Sequence, residues 1–525
     1  MRFTVSALVL AAATALAMPA DAKTFRWANA GDVNSMDPYA RNETFLLTFM
    51  HNIYEPLLQR DKNLKLEPAL ATEWSQPSPT VWRFKLRSNV KWHDGSPFSA
   101  DDVVFSLNRA NGEGSNMRGH FVSMQEVKKV DDMTVDVITK YPDPVMADKL
   151  MQIAIMSKAW SEKNNAARSA DLTKNEENFA TRNAMGTGPF MLKSREPDVK
   201  TVLVANPNWW GKAEHNLTEV EFNVIANPGT RVAALLSGQI DMMYEVPPQD
   251  TARLSNTAGV KVHQVAEFRT IFLGFDQMRD ELLSSSVKGK NPFKDKRVRQ
   301  AFYQAIDVEA IKRSTMRGQS APTGLMVAPG TNGFVAELNS RYPVDIPGAK
   351  KLLADAGYAN GFEVEMDCPN DRYVNDEAIC QAVVAMLSQI GIKINLLAQT
   401  RARYFAKVLG PGYNTSFFML GWTPGATYDV HNVFEQIMQT RGGGKGGFNL
   451  GNYSNKAFDD LANKIEQETD KAKRDAMIVE AHKIHKEEFG HIPLHQQAVV
   501  WAARDNIELT QLADNFFPLR YVRVK

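Results

Sequence analysis

Residues 66–110 read LEPALATEWSQPSPTVWRFKLRSNVKWHDGSPFSADDVVFSLNRA, and this stretch decides the fold. From Val81 to Arg87 the side chains alternate, with Trp82, Phe84 and Leu86 on one face and Arg83, Lys85 and Arg87 on the other. A period of two marks a half-buried strand. Asp94-Gly95 followed by Pro97 is turn chemistry. Ser99 stands where a helix N-cap belongs, and Asp101 and Asp102 fall in the first turn, at the positive end of the helix dipole. Val103, Val104 and Leu107 give that helix an apolar face. The unit is a well-formed α+β piece, strand, turn, strand and capped helix, without an evident catalytic group.

The order of its residues closely resembles the signature of the family-5 solute-binding proteins, the peptide/nickel class that feeds ABC importers. The matching features are acidic-Trp-Ser (Glu73–Ser75), Phe-Lys-Leu-Arg (Phe84–Arg87), Val-Lys-aromatic-His-Asp-Gly (Val90–Gly95) and Pro-Phe-x-Ala-acidic-Asp-Val (Pro97–Val103). Outward from this block the resemblance continues. Asp37-Pro38 precedes a helix expected over Thr44–Leu58 and ending in Tyr54-Glu55-Pro56-Leu57. Gly186-Thr-Gly-Pro-Phe190, Gly238-Gln-Ile-Asp241 and Pro292–Phe302, running on to Asp307, match further family segments. As a phosphate loop Gly186–Phe190 fails, because it lacks a third glycine and the Lys-Ser/Thr pair. It is read as a structural turn. The Gly-rich stretch Arg441–Gly447 fails in the same way and is read as a flexible loop.

The first residues have the form of a secretory leader. Arg2 is the positive n-region, Val5–Ala17 a short apolar run, and Ala20-Asp-Ala22 a small-x-small cleavage site. The run is shorter than the roughly 20 residues a bilayer requires, and no cysteine follows it to carry a lipid. The expectation is a signal peptide over 1–22 and a periplasmic protein that is not a lipoprotein. A formal net charge of +1 leaves no electrostatic footprint for nucleic acid. A chain of 525 residues exceeds one hydrophobic core. Cys368 and Cys380 are the only cysteines, and in an oxidising compartment such a pair suggests one disulfide.

Further strands are expected at Lys23–Asn29, Met133–Ile138, Val202–Trp210 and Val220–Ile225, with a helix over Thr230–Ser237. A strand over Phe362–Asp367, a helix over Asp376–Gly391 and a strand over Lys393–Ala398 form a β-α-β run that suggests a parallel sheet. Lys456–Glu488 reads as one charged helical stretch. His482, His485, His491 and His495 lack a metal-site spacing and are read as ordinary core or surface histidines.

The resemblance implies an α/β, two-lobed periplasmic-binding-protein fold of type II, of the large cluster C kind with an extra domain. It places domain I at 23–62, 184–272 and 492–525, domain II at 63–183, and domain III at 273–491. It implies a monomer that captures a peptide or peptide-like solute between its lobes and delivers it to an ABC permease and ATPase, with no cofactor, no resident metal and no catalysis of its own. In the resembling dipeptide-binding proteins an Arg in the loop after the Phe362–Asp367 strand holds the ligand carboxylate. Arg372 is the matching position, with Tyr373 beside it. Family members follow Gly-Trp, here Gly421-Trp422, with an Asp three residues after the Trp that pairs with the ligand ammonium. This chain has Gly425 there. Trp422 and Thr423 are candidate wall residues, Asp429 and Glu43 candidate replacements for the missing acid, and Asn42 a further contact from the first lobe. The alternatives left open are an opine-like or sugar-derived acid or a chelated metal as ligand and, outside the binding class, a secreted hydrolase or a periplasmic chaperone.

Overall fold

The computed structural model describes residues 23–409 and 412–525; the leader expected over residues 1–22 lies outside them. Val81–Leu86 pairs with Ala71–Ser78 as an antiparallel hairpin, burying Phe84 and Leu86 and exposing Lys85. Gly95 adopts φ +85°, the left-handed region that glycine reaches without strain. The Asp102 carboxylate accepts the backbone N–H of Ser99 at 3.0 Å, closing a capping box on the helix Ala100–Asn111. That helix buries Val103 and Leu107. Thr134–Thr139 and Met124–Asp131 complete a four-stranded antiparallel sheet.

The second sheet has eleven strands among the described residues. At one end lie Met242–Met243, Thr24–Asn29, Glu219–Val224, Lys200–Ala205 and Phe190–Glu196. At the other lie Phe417–Trp422, Glu363–Pro369 and Lys393–Gln399, where Glu363–Pro369 runs parallel to both neighbours. Val260–Phe275 and His491–Arg504 are antiparallel to each other and pass from one end to the other. One core, built around Trp27, Phe49, Phe222 and Trp501, also takes in Phe84 and Leu107 of the smaller sheet. A separate core, around Phe275, Phe293, Phe302 and Phe417, fills the far end. Two lobes therefore share one sheet through two long strands. The ladder between those strands shifts register between Ala266 and Thr270, so that Glu267, Phe268 and Arg269 stand in a bulge. No helix among the described residues is long and apolar enough to cross a membrane.

Besides shifts of one to three residues at other ends, such as the helix expected over Asp376–Gly391 that stops at Ser388, three elements differ more from the sequence expectation. The first helix is Thr44–Met50 and stops short of Leu58, because the carbonyls of Asn52 and Ile53 accept the backbone N–H groups of Phe190 and Gly188. The strand expected over Val202–Trp210 is Lys200–Ala205, and the indoles of Trp209 and Trp210 turn back to donate to the Glu55 carboxylate at 2.9 and 2.7 Å. Lys456–Glu488 is two helices, Lys456–Ile465 and Lys471–Glu487, the second capped by the Asp470 side chain.

Gly186-Thr-Gly-Pro-Phe190 is a clasp. A Cβ on Gly186 or Gly188 would clash with the Ile53 carbonyl, and the Gly186 N–H donates to Nδ1 of His93 at 3.1 Å. His482, His485, His491 and His495 are all buried, and one hydrogen bond of 3.0 Å joins Nε2 of His485 to Nδ1 of His491.

Candidate functional site

A cavity of about 1030 Å³ lies between the lobes. Asn42, Tyr141 and Lys149 line it from the first lobe, Arg372, Trp422 and His431 from the second, and Glu267 and Arg269 from the bulge between them.

One end is cationic. The chain leaves the strand Glu363–Pro369, turns, and enters the helix Asp376–Ser388, the carboxyl-end position where α/β sheets place ligand contacts. Cys368 is bonded to Cys380 across this loop, with Cα atoms 6.6 Å apart. The Asp376 carboxylate accepts the backbone N–H groups of Arg372 and Tyr373 at 2.9 and 3.0 Å, and that of Asp371 accepts the Arg401 N–H. Both acids that flank Arg372 are thus committed to main-chain donors. The Arg372 guanidinium lies 5.1 Å from the centre of the Tyr373 ring, and among the described residues it has no ion pair. Tyr373 itself is buried and donates to the Gly421 carbonyl at 3.3 Å.

Burial, followed by the like charge of Arg269, pulls the Arg372 pKa down. Arg269 is paired with Glu267 at 3.3 Å, whose other oxygen accepts from Gln497 at 2.8 Å. Two guanidinium groups side by side in a half-dry cleft repel one another until an anion lies between them.

The wall is aromatic. The Trp422 indole donates to Oδ1 of Asn432 at 3.0 Å, and its ring packs on Phe448 with centres 4.6 Å apart. Phe268 meets Tyr428 edge to face at 5.1 Å, and the Tyr428 hydroxyl donates to Asp514 at 2.7 Å. Thr423 lines the cavity next to Trp422.

Carboxylates line the cavity as well. Asp429 faces the cavity, but Arg474 holds it bidentately at 2.7 and 2.9 Å and Asn332 donates to it at 2.6 Å. Glu43 is exposed at the start of the helix Thr44–Met50 and is not among the cavity residues. Asn42 is among them, with Nδ2 3.2 Å from Nε2 of His120. Gly425 lies at φ +64° and faces the Asn432 side chain. Sequence reasoning missed Glu267, Arg269, Glu435, Lys445 and Glu466. The Gly-rich stretch read as a flexible loop packs on the helical turn Phe434–Met438, where the Gly446 N–H donates to the Glu435 carbonyl at 2.8 Å. It also brings Lys445 within 2.7 Å of Glu466.

The model of bacterial extracellular solute-binding proteins, family 5, matches residues 65–445. The glutathione-binding protein GsiB of Escherichia coli (strain K12) is 24% identical over 481 residues, covering 90% of this chain and 89% of that protein. The dipeptide-binding protein of the same strain is 26% identical over 435 residues, covering 78% and 76%. The structure of HbpA2 from Haemophilus parasuis superposes with a TM-score of 0.82 at 22% identity, covering 96% of this chain and all of that one.

Proposed function

The chain belongs to the bacterial extracellular solute-binding proteins of family 5, and from that premise we propose that it captures a peptide or peptide-like solute between its lobes for an ABC importer. The observation that carries the reading is Arg372. It is a half-buried guanidinium without an ion pair among the described residues, held next to Arg269 at one end of a cavity between two lobes. A planar guanidinium binds a carboxylate through two parallel hydrogen bonds, and a peptide C-terminus is such a group. Tyr373, Trp422 and Thr423 supply the wall and Asn42 a contact from the opposite lobe.

The mechanism is closure. Residues 273–491 form the second lobe, which swings on the two long strands toward the rest of the chain. A ligand that touches both lobes binds the closed form better and shifts the population to it. The closed form docks on a membrane permease, and the importer's ATPase supplies the energy. The protein acts in the periplasm after loss of residues 1–22, as a monomer and without a catalytic step.

Two measurements test this. Mass spectrometry of small molecules released from the native protein should find a carboxylate-bearing peptide. Arg372→Ala should then weaken that ligand roughly tenfold or more, as removal of a charge-assisted pair does. A retained ligand lacking a carboxylate, or unchanged affinity in the variant, would remove the reading.

A further inference from the structure

We propose that Glu435 provides the counter-charge for a ligand ammonium group, in place of the acid that Gly425 does not supply. The inference rests on the peptide reading and fixes the second end of the ligand.

The carboxylates at the cavity sort by partner. Asp143 is held by Lys149 at 2.5 Å, Glu267 by Arg269, Asp429 by Arg474 and Glu466 by Lys445. Asp514 and Glu435 both have no cation within ion-pair distance among the described residues, but the Asp514 oxygens are taken by the Tyr428 hydroxyl at 2.7 Å and the Phe516 N–H at 2.9 Å, whereas the Glu435 side chain meets only the amide of its neighbour Gln436 at 3.2 Å.

Its position follows from the helix. Gly425 faces Asn432, which also anchors the Trp422 indole. Glu435 comes three residues after Asn432 and four after His431, on a helix that continues from Val430–Val433 into a π-helical turn at Phe434–Met438. His431, Asn432 and Glu435 all line the cavity. Nε2 of His431 is buried without a hydrogen-bond partner among the described residues. Burial lowers its pKa and keeps the ring neutral, and a neutral imidazole carries one acceptor nitrogen. Gly443 and Gly444 also line the cavity.

An ammonium set beside Glu435 loses water and gains a carboxylate, which makes its burial tolerable. An acid at position 425 would need the left-handed backbone that Gly425 adopts, a strained conformation for a side-chain-bearing residue. The ligand class is therefore a peptide-like zwitterion, with its carboxylate at Arg372 and Arg269 and its primary amine at Glu435.

The test offers the whole protein an equimolar dipeptide library and the same library N-acetylated. Native mass spectrometry picks the tightest pair and calorimetry measures it. The wild type should prefer the free-amine form roughly tenfold or more, the scale of a charge-assisted contact. Glu435→Gln should erase that preference while binding the acetylated form as before, which also shows that the variant is folded. Equal binding of both forms by the wild type, or a preference that survives Glu435→Gln, overturns the assignment and leaves Arg372-dependent peptide binding standing. Binding of neither library overturns both readings.

Discussion

Asp429 and Glu435 lie on the same short helical segment and face the same cavity, yet among the described residues only Asp429 is held in an ion pair. With side chains 1% and 6% exposed, Asp429 and Arg474 form a buried pair. Removing one charge of such a pair strands the other and costs about 3–5 kcal/mol. Asp429→Asn is therefore expected to lower stability by that order in a urea titration. It should leave the preference for free-amine over acetylated peptides unchanged, and a lost preference would return Asp429 to the ligand site. Sequence alone could not rank the two acids. Arg474 is distant in the chain from Asp429, and the loop whose Gly446 N–H meets the Glu435 carbonyl is a separate segment, 441–447. That Arg372 reaches the cavity was legible because its setting is local: a strand, a turn and a helix in succession, in a segment that resembles known binders.

Elements were legible where their own pattern decides them. The hairpin and capped helix of residues 71–111 and the parallel strands Glu363–Pro369 and Lys393–Gln399 formed as their periodicity requires. The misread boundaries lie where a distant segment takes over. The first helix ends at Met50 and does not run on because the clasp at Gly188 and Phe190 claims the carbonyls of Ile53 and Asn52, and nothing within residues 44–58 encodes that. The split of Lys456–Glu488 was legible in principle, since Asp470 is a good N-cap residue. The Cys368–Cys380 bond ties the end of a strand to the helix that follows, around the loop that presents Arg372. Closing a loop of this length contributes about 3 kcal/mol through the unfolded chain. Reduction is expected to lower the urea midpoint by a matching amount and to weaken ligand binding, read by calorimetry. Unchanged affinity would mean that the Asp376 hydrogen bonds hold the loop unaided.

At the scale of the molecule, the buried histidines set the response to acid. Burial lowers His51, His93, His482 and His495 to about 4 and His491 to about 3, from an ordinary 6.5. Below 6.5 the unfolded chain takes up protons that the folded protein refuses, so the unfolded state gains. The histidine contribution is whole above 6.5 and is lost as pH falls toward 4. Circular dichroism across that range should show stability dropping with uptake of more than one proton; a flat profile would contradict the neutral buried rings. The same long-range view applies to the bulge at Glu267–Arg269. Those residues break the pairing of the two strands that join the lobes, and two of them present charges to the cavity. On the proposed function, the ligand's grip and the molecule's fulcrum coincide at this bulge. A substitution at Arg269 should not behave as a simple lost contact. It should reset the resting angle of the empty protein, so that scattering of the unliganded form changes together with affinity.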